Sequence, residues 1–431
     1  MSKRLFLIGL SLFLFFAALV PVDARLKFQQ QQQDFSGVVK RAPYRIRVPA
    51  NWNGSLLVYM HGYRDRADHP GEVNNRTAEV TPSAALEPIL LAQGYALSGS
   101  AYRNNGWAVE EGIEDSKNVV IAFRRLVGAP QRTILWGFSM GSVIGFKSME
   151  QADGFYDGAL CGCAVGAGTS RSWDFSGDLS LAYDTVFGFP QTWGTVGDVR
   201  NDLDFETEVA PKLTAEVSSL ANFPKFEFIR LVVGTPGRGI MPPPNFFPNW
   251  IFTDLFFATE ARAELERRAG GPIVQNLDRD YLVTPAEREY LNSIGLSNAT
   301  IDQLLASMNA RRNISAPASS RSYVQRNADY TGNILNPVLT LHTLIDPLVP
   351  VSHENAYFRT VQNAGRTNLL FQTYTNGNGH CAFTGEQLIT SVNAINNWVR
   401  TGTRPTTANL PAALGFLPDF FPPSLNQPNA L

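Results

Sequence analysis

The sequence predicts an α/β architecture, a mostly parallel sheet covered by helices on both faces. Three observations carry the prediction. Apolar runs over residues 55–60, 94–100, 133–136 and 158–166 lack polar alternation, as expected of strands buried on both faces. Helix-compatible stretches alternate with them, the pattern of parallel strands joined by crossover helices. One of those strands runs into Gly137-Phe138-Ser139-Met140-Gly141, a G-x-S-x-G pattern set between an apolar run and the helix-compatible residues 142–151. In that context the pattern reads as a tight strand-to-helix elbow with an outward serine hydroxyl. Chance is the bland alternative in a chain with 35 glycines, and the strand and helix on either side weigh against it.

The chain has 431 residues, 44% of them hydrophobic, and a net charge of −2. This supports one large core or two ordinary domains. A near-neutral chain without a basic cluster gives no reason to expect a nucleic-acid partner. The N-terminus reads as a secretion signal: Lys3 and Arg4, an apolar run over 5–20, then Val22-Asp23-Ala24 with small residues where a signal peptidase cuts. Residues 1–24 are therefore assigned as signal peptide. The mature protein is expected to be secreted, or periplasmic in a bacterium, with no stable membrane anchor, because the run is short for a span. Residues 29–33 follow as a low-complexity stretch.

In order, residues 36–48 read as two strand segments and 49–54 as a turn. The strand over 55–60 ends in His61-Gly62-Tyr63. Residues 81–92 read as a helix that Pro88 would kink. The strand over 94–100 leads into a polar-aromatic loop, whose Tyr102, Arg103 and Trp107 are candidates for a substrate-pocket wall, since ligands sit beyond the carboxyl ends of such strands. An ordinary surface loop is the competing reading. Residues 108–126 form a helix by apolar spacing. After the strand over 158–166 the alternation stops. Residues 169–331 read as a large, mainly helical cap, with helices over 207–220, 253–268, 284–294 and 297–312. Trp193, Phe246, Phe247, Trp250, Phe256 and Phe257 line its pocket or form its own core. The sheet resumes over 337–345 and again over 368–375, and residues 386–399 close it with a helix. The resulting divisions are a first core part at 25–168, the cap at 169–331, a second core part at 332–402 and a proline-rich tail at 403–431.

Chemistry-bearing residues fall at strand ends. Asp346-Pro347 follows one strand directly, and a glycine loop delivers His380 after the last one. In chain order Ser139 is followed by Asp346 after 207 residues and by His380 after another 34. His342 lies inside a strand, His353 just past the Asp346 turn and His69 in a polar loop, so none competes well with His380. Asp329 is the runner-up acid but precedes its strand. The 5 histidines show no paired ligand spacing, so no metal is expected, and no phosphate or dinucleotide fingerprint implies a cofactor. Cys161, Cys163 and Cys381 allow one bridge plus one thiol, or three buried thiols. Cys161 and Cys163, two apart in a strand, are expected on the same face and so not bridged to each other.

Together His61-Gly62, Gly137 to Gly141, Asp346-Pro347 and Gly379-His380 resemble the α/β-hydrolase superfamily over about residues 36–400 apart from the cap. They look like its secreted esterase-like or prolyl-oligopeptidase-like members. The resemblance implies an α/β-hydrolase fold with the cap inserted between the sixth strand and the acid-bearing strand. It makes Ser139 the nucleophile, His380 the base and Asp346 the acid that orients it. The backbone N–H groups of Tyr63 and Met140 are the expected oxyanion donors. The function expected is a serine hydrolase acting on a small-molecule or polymeric carboxylic ester, bulky or apolar. A peptidase or amidase with the same triad, and a silent scaffold used for binding, are the alternatives.

Overall fold

The computed structural model describes residues 31–65, 75–151, 154–237 and 249–425. The signal-peptide assignment, His69, Phe246 and Phe247 lie outside the described residues. Eight strands form one sheet in the order β1-β2-β4-β3-β5-β6-β7-β8. They are β1 (Gln33–Val39), β2 (Ala42–Val48), β3 (Ser55–Met60), β4 (Ala96–Ser100), β5 (Arg132–Phe138), β6 (Gly158–Gly162), β7 (Val338–Ile345) and β8 (Leu370–Asn378). β2 pairs antiparallel with β1 and with β4, and every pairing from β4 through β8 is parallel. This is the α/β-hydrolase fold.

The buried strands supply both faces. Leu56, Val58 and Met60 of β3 point into one core, which is closed by α2 (Val109–Leu126) and α3 (Met140–Met149). Leu57 and Tyr59 point into the other, closed by α1 (Leu86–Ala92) and α13 (Gly385–Thr401). The tail adds Leu410 and Phe416 to this second core.

α1 starts later than the sequence suggests. Pro88 cannot donate to residue 84 and its ring would strike that carbonyl, so a helix running through 84 is excluded. β6 stops at Gly162 because Cys163 takes a left-handed φ of 40°. That turn corrects the expectation for the cysteines: Cys161 joins the first core and Cys163 the second. Cys163 is bonded to Cys381, with Cα atoms 5.2 Å apart, and Cys161 is a buried free thiol.

Between β6 and β7 lie α4 (Thr169–Phe187), α5 (Ala210–Val217), α6 (Phe223–Val233), α7 (Asn249–Ala258), α8 (Glu260–Ala269), α9 (Pro285–Ser293), α10 (Asn298–Asn309) and α11 (Ala318–Ala328). The single helix expected over 253–268 is two, broken at Thr259 (φ −124°, ψ −93°). Much of this segment has its own apolar core, which takes in Trp193 and Trp250, with Phe256 packed against it. α12 (Ser352–Asn363) then joins β7 to β8. No helix of the described residues is long and apolar enough to cross a membrane.

The Cys163–Cys381 bridge closes a loop of 218 residues around the whole helical segment. Reduction is expected to lower the unfolding free energy by about 2–5 kcal/mol. Urea titrations of the oxidised and reduced protein check this, and a Cys161→Ala variant must respond to reductant as the wild type does.

Candidate active site

β5 ends at Phe138 and α3 begins at Met140, so the change of direction falls on Ser139 alone. Its φ of 55° and ψ of −125° are costly for a residue with a Cβ. Small neighbours make the turn feasible. A Cβ on Gly137 would lie 2.6 Å from the Gly141 carbonyl oxygen, and one on Gly141 only 2.1 Å from that of Met60. The Ser139 N–H donates to the Gly162 carbonyl at 3.1 Å, and Ser142 Oγ donates to the Ser139 carbonyl at 2.6 Å. Ser139 lines a cleft together with Trp107, Trp173, Phe257, Leu348 and Val349.

Asp346 is fully buried just beyond β7. Its Oδ1 accepts from the amides of Leu348 (3.1 Å) and Val349 (2.9 Å), and its Oδ2 accepts from His380 Nδ1 at 2.8 Å. Burial alone would raise its pKa. The charge and hydrogen bond of His380, the nearby His342 and the Val349 amide outweigh that and hold it below the usual carboxylate range. With Nδ1–H turned to Asp346, the lone pair of His380 is on Nε2. That atom is buried and has no hydrogen-bond partner among the described residues.

The loop carrying His380 is tied on three sides. Gly379 donates its N–H to Ile345, Gly379's carbonyl accepts from Thr343 Oγ1, and Cys381 is bridged to Cys163. His380 Nε2 or Nδ1 and the two sulfurs lie within 4.8 Å of one another, but sulfurs joined in a disulfide are not thiolate ligands.

His61 and Gly62 lie against the elbow: a Cβ on Gly62 would stand 3.6 Å from Ser139 Cβ. His61 Nδ1 donates to the Gly62 carbonyl at 2.7 Å, and its ring stacks on Tyr102 at 3.9 Å. The Met140 N–H, first in α3, has no intrahelical acceptor. Tyr63 packs edge-on against Phe257 at 5.2 Å.

The three candidates for the pocket wall separate. Trp107 lines the cleft with Ser139. Tyr102 is buried behind His61, its hydroxyl 3.4 Å from the His61 carbonyl. Arg103 turns to α2, where it pairs with Glu114 and Asp115. Asp329 accepts from the amide and hydroxyl of Ser170 and so fastens the start of α4.

Two residues in the site carried no role in the sequence reading. His342 donates Nε2–H to the Val349 carbonyl at 2.9 Å and accepts from the Ala164 amide on Nδ1 at 3.2 Å, with Asp346 Oδ2 3.8 Å from Nε2. It steadies the turn that holds the carboxylate. Asp254 lines the same cleft. A polar residue on an otherwise apolar helical stripe (Trp250, Ile251, Leu255, Ala258) was its available signal.

No family model matches the sequence. The chain is 22% identical over 440 residues to an o-phthalyl amidase of Xanthobacter agilis, covering 84% of this chain and 86% of that protein. Among solved structures it is similar to an acylaminoacyl peptidase of Pyrococcus horikoshii, at 10% identity and a TM-score of 0.40 over 81% of this chain and 37% of that one. It is also similar to lipase A of Candida antarctica in its closed state, at 14% identity and a TM-score of 0.42 over 87% and 78%. The chain thus spans little more than a third of that peptidase.

His61 and His353 give a pH prediction. Burial pushes the pKa of each down to about 3, with the charge of Arg64 adding at His61 and that of Arg171 adding at His353. The unfolded chain binds a proton at each near pH 6.5, while the folded chain refuses it until near 3. Stability from each is therefore present above pH 6.5 and lost as pH falls toward 3, by about 1.4 kcal/mol per unit per histidine. Denaturant unfolding across that range checks it: His353→Gln is expected to flatten the slope by about one proton, and an unchanged slope would contradict the assignment.

Proposed function

We propose that this α/β-hydrolase is a secreted serine hydrolase that cleaves carboxylic esters through an acyl-enzyme on Ser139. The observation that supports it best is the 2.8 Å hydrogen bond from His380 Nδ1 to Asp346, which leaves Nε2 with no partner, Ser139 Oγ included, while Ser139 stands on its strained elbow. His380 Nε2 takes the serine proton as Oγ attacks the acyl carbon, then returns it to the leaving oxygen. Asp346 keeps the imidazole in the Nδ1–H tautomer and offsets the charge of the imidazolium. The N–H groups of Tyr63 and Met140 receive the developing oxyanion. Water then attacks the acyl-enzyme by the same base. The helical segment acts as a cap whose aromatic side chains favour a bulky or apolar acyl or aryl group. Secretion rests on residues 1–24.

The likeness to an amidase favours a second reading in which the acyl group is cut from an amine. The machinery is the same, with a greater demand on His380 to protonate the leaving nitrogen.

A p-nitrophenyl ester series from acetate to palmitate, run beside a p-nitroanilide series, separates the two. Ser139→Ala is expected to lose both hydrolysis and fluorophosphonate labelling. Asp346→Asn is expected to lower kcat on the order of 10⁴-fold, because its amide no longer holds the required tautomer. A wild-type protein that neither hydrolyses any member nor is labelled would mark a binding scaffold instead.

A further inference from the structure

The cleft beside Ser139 holds a charge-bearing side chain that acyl transfer leaves unused. Asp254 on α7 is 2% exposed and lines the cleft. Both carboxylate oxygens are buried and neither has a hydrogen-bond partner among the described residues. Buried acids are ordinarily tied to a cation or to amides. Elsewhere in the same helical segment they are: Glu227 pairs with Arg230, Glu266 with Arg262, and Asp178 with Arg279 and the Tyr281 hydroxyl. Burial, and then the carboxylate of Asp346, push the Asp254 pKa well above the usual range. Without a ligand the group is held against ionisation.

The rest of the cleft wall indicates what would relieve it. Trp107 and Trp173 meet edge to face at 5.2 Å, and Phe257 lies 6.2 Å from Trp173. Phe175 adds a further ring, and none of the side chains described along the wall is basic. Aromatic faces attract cations, most strongly where water is excluded. A neutral acyl chain would fill the space and leave both oxygens without donors. An anion would meet no basic side chain among those described along the wall. An ammonium group brings N–H donors and a positive charge, which the carboxylate and the rings both accept. The cavity volume of the cleft is ≈ 60 Å³, room for a small head group such as an ammonium.

We propose that Asp254 and the surrounding rings form an ammonium-binding subsite, so that the preferred substrates are esters or amides whose acyl or leaving group carries a primary amine. The substrate class rests on the reading of Ser139 as nucleophile; the subsite itself does not.

Binding and hydrolysis are therefore measured separately on the full chain. By calorimetry at pH 7.5, benzylamine is expected to bind at least tenfold more tightly than benzyl alcohol or benzoate, and Asp254→Asn to erase that difference. Equal binding of benzylamine and benzyl alcohol, tightest binding of benzoate, no binding of benzylamine, or a preference that survives in a folded Asp254→Asn variant would each overturn the subsite. In hydrolysis, kcat/KM for p-nitrophenyl 4-(aminomethyl)benzoate is expected to exceed that for the 4-ethylbenzoate ester at least tenfold. A ratio near one would overturn the substrate class without needing any variant. Benzylamine binding with no Ser139 labelling would instead sink the hydrolase reading and leave the subsite standing.

Discussion

One contact sets the geometry on which the rest depends: α3 pressed against the end of β3. Gly141 sits so close to the Met60 carbonyl that a single added carbon would fall 2.1 Å from it. Four residues further along α3, a Cβ on Gly145 would meet Cys161 Sγ at 2.8 Å. Small residues at one-turn spacing let the helix lie on β3 and β6, and this closeness forces the strand-to-helix turn onto one residue. Ser139 holds its strained backbone because the surrounding strands leave no other path. The same approach brings Gly62 beside Ser139, so the serine and the His61–Tyr63 loop are positioned by one packing event.

Asp346 and His380 come from the far side of the sheet. Parallel pairing of β6 with β7, and of β7 with β8, brings residues separated by the long helical segment to adjacent strand ends. Val349 ties the turn twice, its amide to Asp346 and its carbonyl to His342. The His380 loop is anchored to Ile345 through Gly379 and to the end of β6 through the disulfide. A carboxylate with no exposure stays ionised here because amides and an imidazole supply what water would have supplied.

The inner strands were legible because they are buried on both faces, and continuous apolar runs stand out when bounded by turns. Ser139 and Asp346 stood out because each falls at the end of such a run, and His380 because a glycine loop carries it beyond the last strand. The helical segment was harder for a physical reason. α4 buries Ser176, Asp178 and Ser180, and α6 is buried nearly all round with Glu227 and Arg230 paired inside it. Neither shows an apolar stripe beside a polar face, so periodicity had nothing to register. Cys163 was misread because a single left-handed residue past the strand end reverses the face, and strand alternation does not extend through such a turn. Tyr102 and Arg103 share a loop with Trp107, yet only the fold decides that the first goes under His61 and the second toward α2.

The cleft draws on both parts of the chain. Trp107, Ser139, Leu348 and Val349 come from the sheet and its loops, while Trp173, Phe257 and Asp254 come from the helices between β6 and β7. The groups suited to bond making are therefore held by the sheet, whose strand register fixes them. Trp173 belongs to the core shared with β3 and α3, and Phe257 packs against that core, although much of the helical segment has an apolar core of its own. The sheet thus fixes Ser139 and the His380–Asp346 pair through strand register, and the helical segment supplies much of the wall beside Ser139.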